Sequence, residues 1–134
     1  MRHKIIIDAT DSVLGRIASF AAKNSLLGRE VIIVNCNDAI VIGSKQVIMD
    51  KYSTMRKKGG SSLTGPHFPK NPEKLIKRTI RGMLSHKQMR GKEALKRIIC
   101  YNKVPEEYKS VDKINFNKSV KFKSMTLSKI EELL

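Results

Sequence analysis

Apolar residues along the chain fall into short β-branched runs that alternate with stretches of helical spacing. Ile5, Ile6 and Ile7, bounded by Asp8 and the polar Thr10-Asp11-Ser12, read as a buried strand running into a turn. Asp11 or Ser12 can cap the next element. From Val13 to Leu27 the residues Leu14, Ile17, Ala18, Ala21 and Ser25 recur at helical spacing, with Arg16 and Lys23 opposite and Gly28 at the expected C-terminal cap. Val31 to Val34 and Ala39 to Ile42 are two more strand-like runs, and Ser44 opens a second helix through about Met55 with Val47, Ile48 and Tyr52 on one side. The order strand, helix, strand, strand, helix favours α/β layering with a mainly parallel sheet. The link between the second and third strands is too short for a crossover helix, so those two are not expected to be parallel neighbours.

Residues 56 to 71 have no periodicity and contain three Gly and two Pro, which predicts a long surface loop. Asn71-Pro72 is a helix start, with Asn as the cap and Pro in the first turn. On this third helix, which runs to residue 84, Lys74, Lys77, Arg78 and Arg81 form one stripe, and Ile76, Ile80, Met83 and Leu84 another on the far side. One face is core and the other cationic. Gly91 to Arg97 reads as a short helix and Ile98 to Tyr101 as a last strand. Pro105 begins an irregular tail ending in an amphipathic helix from about Thr126, capped by Thr126 or Ser128.

The 134 residues are about one domain's worth, and 40% of them are hydrophobic, enough to offset ordering entropy and exclude simple disorder. One domain over 1–134 is expected: an α/β body at 1–104, including the basic loop 56–71, and a tail at 105–134. Charge changes the picture. Against 12 Asp and Glu stand 27 Lys and Arg, a net +15. Residues 1–50 hold six basic and five acidic side chains, residues 51–103 fifteen and two, and residues 104–134 six and five, giving +1, +13 and +1. So uneven a distribution describes a body with one polyanion-binding surface, most simply for nucleic acid.

Catalytic chemistry finds little support. Neither a dinucleotide nor a P-loop glycine pattern occurs, and Gly43-Ser44-Lys45 fits a capped strand-to-helix turn better than a phosphate site. His67 and His86 could act in acid-base cleavage of RNA, but Glu73 and Glu93 are the only carboxylates in the basic region, whereas a metal-dependent nuclease needs clustered acids. Cys36 and Cys100 each lie inside an apolar run, far from any C-x-x-C pairing, and form no zinc or disulfide pattern. Rings are scarce near the charge, with only Tyr52 and Phe68 before Tyr101, which argues against a single-strand stacking platform and for backbone and shape readout of folded RNA. The apolar run near the amino terminus is too short for a signal peptide or membrane span, so a soluble, cytoplasmic protein is expected.

Two blocks carry a family resemblance. Asp8-Ala9-Thr10, Val13 to Ala18 and Ile40 to Gly43 resemble the opening of the universal large-subunit ribosomal protein thirteen family. Gly65-Pro66-His67-Phe68, Arg78, Arg81 to Leu84, His86-Lys87, Arg90-Gly91, Ala94-Leu95 and Tyr101 are similar to the central signature of its archaeal and eukaryotic branch, with chain ends that look archaeal. The similarity runs from about residue 4 to residue 105. Ser85 stands where the family usually has Pro, which implies a less rigid turn there.

The resemblance implies a three-layer α/β/α domain with a four-stranded parallel sheet, a structural place in the large ribosomal subunit and contact with large-subunit ribosomal RNA. It implies no catalytic residues, cofactor, metal, membrane or small-molecule substrate. Read with the charge pattern, it makes Arg56, Lys57, Lys58, Lys70, Lys74, Lys77, Arg78, Arg81, Lys87, Arg90 and Lys92 the expected phosphate contacts, with His67 and His86 hydrogen-bonding nearby. The competing classes are a nucleotide-binding or RNA-processing enzyme, which predicts a bound nucleotide or metal, and a free RNA-binding regulator. Loop 56–71 should be mobile in the isolated protein and order on binding. The tail, nearly neutral but rich in apolar residues, should pack on its own domain or on a neighbouring ribosomal protein.

Overall fold

β1 (Lys4–Asp8), α1 (Leu14–Leu26) and β2 (Glu30–Val34) build the centre of the fold. The computed structural model describes residues 3–57, 69–116 and 123–134. After β2 come β3 (Ile40–Ile42), α2 (Lys45–Lys57), α3 (Pro72–Met83), α4 (Met89–Lys96), β4 (Ile98–Cys100), β5 (Ile114–Asn115), β6 (Ser124–Thr126) and α5 (Leu127–Leu133), with 3-10 turns at Cys36–Asp38 and Glu106–Tyr108. β1 and β2 run parallel in the register Ile6 to Ile32, β4 joins parallel on the outer side of β2, and β5 joins parallel beside β1. The sheet order is β4-β2-β1-β5, an α/β fold with a four-stranded parallel sheet.

Alternation along these strands separates two apolar layers. Ile7, Val31, Ile33 and Ile98 point into the main core with Ile17, Ala18 and Ala21 of α1 and Leu75, Ile76 and Ile80 of α3. Ile6, Ile32 and Val34 point to the opposite face, where Tyr101, Val104 and Tyr108 cover them. Among the described residues that second covering layer is thin, the segment from Tyr101 to Tyr108 with its 3-10 turn. The Ala-rich face of α1 lets α3 and the sheet approach closely, and α1 packs directly on α3 and α4.

Several local expectations hold and several are corrected. Gly28 lies just past α1 at φ +91°, and its N–H donates to the Ser25 carbonyl at 3.1 Å, a conformation that favours glycine. Neither Asp11 nor Ser12 caps α1: the cap position is Val13 without a side-chain bond, and the buried Ser12 hydroxyl instead donates to the Thr10 carbonyl. β3 comes after a left-handed Asn35 and the 3-10 turn, leaves the main sheet, and pairs antiparallel with β6. α2 runs two residues further than expected, so Arg56 and Lys57 are helical, their charges placed where the helix dipole favours cations. Val47 faces solvent, leaving Ile48 and Tyr52 as the buried side of α2. Met83, expected in the core stripe of α3, is also exposed, whereas Leu75, which that stripe did not include, is buried. α4 starts two residues early, at Met89. There Gly91 lies so close to the turn before it that a Cβ would strike the Ser85 carbonyl.

The tail is tied back through three elements. β5 edges the main sheet and β6 pairs with β3, while α5, capped by the Thr126 hydroxyl accepting from Lys129 N–H at 3.3 Å, buries Leu127 and Ile130 against the body. Val120 and Phe122, two of the apolar residues that give the tail its expected packing, lie outside the described residues.

Candidate nucleic-acid interface

α3 organises the cationic surface. Its inner face buries Leu75, Ile76 and Ile80, while on the opposite stripe Lys74 and Arg81 are exposed and Lys77 and Arg78 half-buried. Its N-terminus is clasped from the sheet: the Asn71 and Asn102 side-chain oxygens both accept from Glu73 N–H, at 3.2 and 3.0 Å, and Asn102 donates to Asn71 at 3.1 Å. Because Asn102 stands two residues past β4, this clasp fixes α3 against the open edge of the sheet. Lys77 adds a second tie, its ammonium donating to the Ile98 carbonyl of β4 at 2.6 Å. One of its three donors is therefore spent on the fold, and it also covers part of an edge that would otherwise invite another strand.

Beyond α3 the turn at residues 84–88 is closed by Gln88 N–H donating to the Ser85 carbonyl at 3.0 Å, so the segment is ordered by main-chain bonds although proline is absent. His86 holds Nδ1 at 3.3 Å from the Arg81 carbonyl; with that nitrogen as donor, Nε2 is left for another partner. Lys87, Arg90 and Lys92 are exposed around this turn and on α4, and Lys70 is exposed just before α3. Arg56 and Lys57 are exposed on the last turn of α2, a helix that meets α3 where Tyr52 adjoins Leu75 and Thr79. Lys58 and His67 lie outside the described residues, as does most of the expected loop. Tyr52 is itself buried, burial pushing its hydroxyl pKa up, and is therefore core rather than a stacking surface.

A groove of about 500 Å3 runs between α3 and β4. Lys74, Lys77, Arg78 and Arg81 line one side, and Leu95, Ile99 and Cys100 supply apolar lining. Behind it the Cys36 thiol has its pKa pushed up, first by its contact with the Cys100 thiol and then by burial, so it stays protonated. Both cysteines are free. Among the described residues no three His, Cys, Asp or Glu side chains are placed to hold a metal, and no helix is long and apolar enough to cross a membrane. Ser44 accepts from Val47 N–H at 3.4 Å, as a helix cap does.

The sequence profile described as Ribosomal protein L13 matches residues 2–107, most of the chain. The chain belongs to the ribosomal protein L13 family. Three archaeal relatives, each described as large ribosomal subunit protein uL13, illustrate the distance. That of Methanosarcina barkeri is 43% identical over 110 residues, covering 81% of this chain and 78% of the relative. That of Methanococcoides burtonii is 42% identical over 107 residues, covering 80% and 76%. That of Haloarcula marismortui is 36% identical over 132 residues, covering 97% and 90%, so its similarity extends through the tail.

In this L13-family chain the side chains missed by sequence reasoning are Asn102, Leu95 and Ile99. Asn102 carries no motif, and its use depends on β4 ending beside the start of α3. Ile99 looks like a core residue in an apolar run, yet it lies on an edge strand and is 46% exposed.

Proposed function

We propose that this protein is a structural constituent of the large ribosomal subunit, cytoplasmic with the ribosome, and that it binds folded large-subunit ribosomal RNA. The contact surface comprises the end of α2, the outer face of α3, the turn at residues 84–88 and α4, with the segment holding Lys58 and His67 adjoining it in sequence. Membership of the L13 family supports the ribosomal role. The observation that carries the RNA reading is the outward stripe on α3, where Lys74 and Arg81 stand on a helix whose other face is locked into the core. Four like charges on adjacent turns disfavour a free helix by a few tenths of a kcal/mol per pair, a cost that a phosphate backbone turns into attraction. No step of this role is catalytic. Neighbouring ribosomal proteins are proposed to meet the rim of the tail, where Val111, Ile114 and Leu133 stay exposed.

Binding of the full chain to large-subunit ribosomal RNA across a salt series tests this. Neutralising six phosphates gives a slope of log affinity against log salt of about −4 to −5. A slope near zero, or tight binding confined to one messenger element, would overturn it.

A further inference from the structure

The groove between α3 and β4 has features that a continuous phosphate backbone does not use. Leu95 and Ile99 contribute apolar lining, and Ile99, 46% exposed in the middle of an edge strand, borders both this groove and the hollow on the opposite face beside Ile32 and Tyr108. The edge of β4 is also partly open. Arg97 and Tyr101 bond to β2, through Arg97 C=O with Val31 N–H at 2.9 Å and Tyr101 N–H with Ile33 C=O at 2.8 Å. In a parallel ladder the alternate residues Ile98 and Cys100 therefore direct their main-chain groups off the edge. Lys77 occupies the Ile98 carbonyl, whereas the main-chain groups of Cys100 meet no partner among the described residues.

We propose that this groove receives one unstacked nucleotide of the bound RNA. Its base lies on Leu95 and Ile99 with its polar edge toward the Cys100 main chain, and its flanking phosphates rest on Lys74 and Arg81. The inference rests on the RNA-binding reading and adds to it a place for a base. Charge complementarity selects the occupant: Lys74 and Arg81 stand two turns apart on α3, about 10 Å along the axis, beside the apolar lining. The volume of about 500 Å3 lies within the ordinary range for sites that hold one small organic group. Aliphatic lining without a ring accepts a single base but offers no platform for a stacked run, which fits a nucleotide turned out of a folded RNA. Glu73 borders the same groove, a carboxylate that repels a phosphate and accepts from the amino group of a base.

The chain contains no Trp, so Ile99→Trp places a single fluorescent reporter at the groove. The probes are RNA hairpins carrying one bulged nucleotide, the same hairpin without the bulge, and polyglutamate. Bulged hairpins should quench the tryptophan and should bind the unmodified protein about 5- to 10-fold more tightly than the bulge-free hairpin, at similar salt slopes. Ile99→Ala should erase that preference, which keeps the test valid if tryptophan disturbs the strand. Equal affinity without quenching for the two hairpins, both binding with steep salt slopes, overturns the nucleotide site and leaves the RNA-binding surface standing. Quenching by polyglutamate as strong as by the bulged hairpins overturns it in favour of an acidic peptide. Failure of every hairpin to bind overturns both readings.

Discussion

α1 and α3 pack against each other over the same face of the same sheet, yet they meet solvent in opposite ways. α1 shows water a sparse face of Gly15, Arg16, Ser19 and Lys23, with its two cations seven residues apart. α3 crowds four cations into two turns beside a single carboxylate, Glu73. Their inner faces obey one rule, fully buried aliphatic side chains at helical spacing. The difference therefore lies on the outside: α1 is composed for the fold, while α3 accepts a self-repulsion that the RNA proposed to bind there would relieve. The clasp of Asn71 and Asn102 and the Lys77 tie show how the fold holds such a helix in place against its own surface repulsion.

The strongest way to break this comparison is through the inner faces. Ile17→Ala in α1 and Ile80→Ala in α3 should each cost about 3 kcal/mol, because each removes a side chain with no solvent exposure from a core that cannot fully collapse. Denaturant unfolding measures this, and the RNA salt slope of the remaining folded protein should not change. A much smaller loss for Ile80→Ala would mean that α3 is merely draped on the body.

The outer faces give the next effect. Replacing Lys74 and Arg81 together by Gln should reduce the steepness of the salt slope by about 1.4 to 1.8, while stabilising the free protein by a few tenths of a kcal/mol. Arg16→Gln with Lys23→Gln on α1 should leave the slope unchanged. Equal effects from the two pairs would mean that binding reads overall charge rather than a face.

The smallest expected effect belongs to Asp8, at the end of β1. Burial alone would raise its pKa, but hydrogen bonds from Asn35 and Thr10, with the Lys113 charge, hold it below the ordinary value of 3.8. A carboxyl depressed on folding stabilises above its unfolded pKa and loses that contribution as pH falls through the folded value. The melting temperature of the wild type should exceed that of Asp8→Asn near neutrality, and the gap should narrow below about pH 4. Because Asp8 is only half-buried, water screens much of the effect. A gap constant with pH would assign the difference to packing.

Much of this molecule is local and so was legible in one dimension. The helical stripes of α1 and α3, the Asn71 cap, the glycine after α1 and the concentration of charge between residues 51 and 103 all depend on neighbours within a few positions. A periodic face or a cap is a property of one turn of backbone. Sequence order likewise carried the family resemblance across the body.

Pairing between distant segments was not legible. β5 and β6 are two and three residues long and find partners more than eighty residues away, so their apolar content could suggest burial but not which strand they join. Val47 and Met83 had the right spacing for a core and Ile99 the right neighbours, but exposure depends on what packs opposite, and that is settled only when the sheet order is. The groove is the extreme case: Lys74 and Arg81 come from one helix, Leu95 from another and Ile99 from an edge strand. The chain determined that it carries a cationic face on an α/β body. The tertiary structure decided that this face borders an open strand edge, because only long-range packing brings an apolar lining beside the charges.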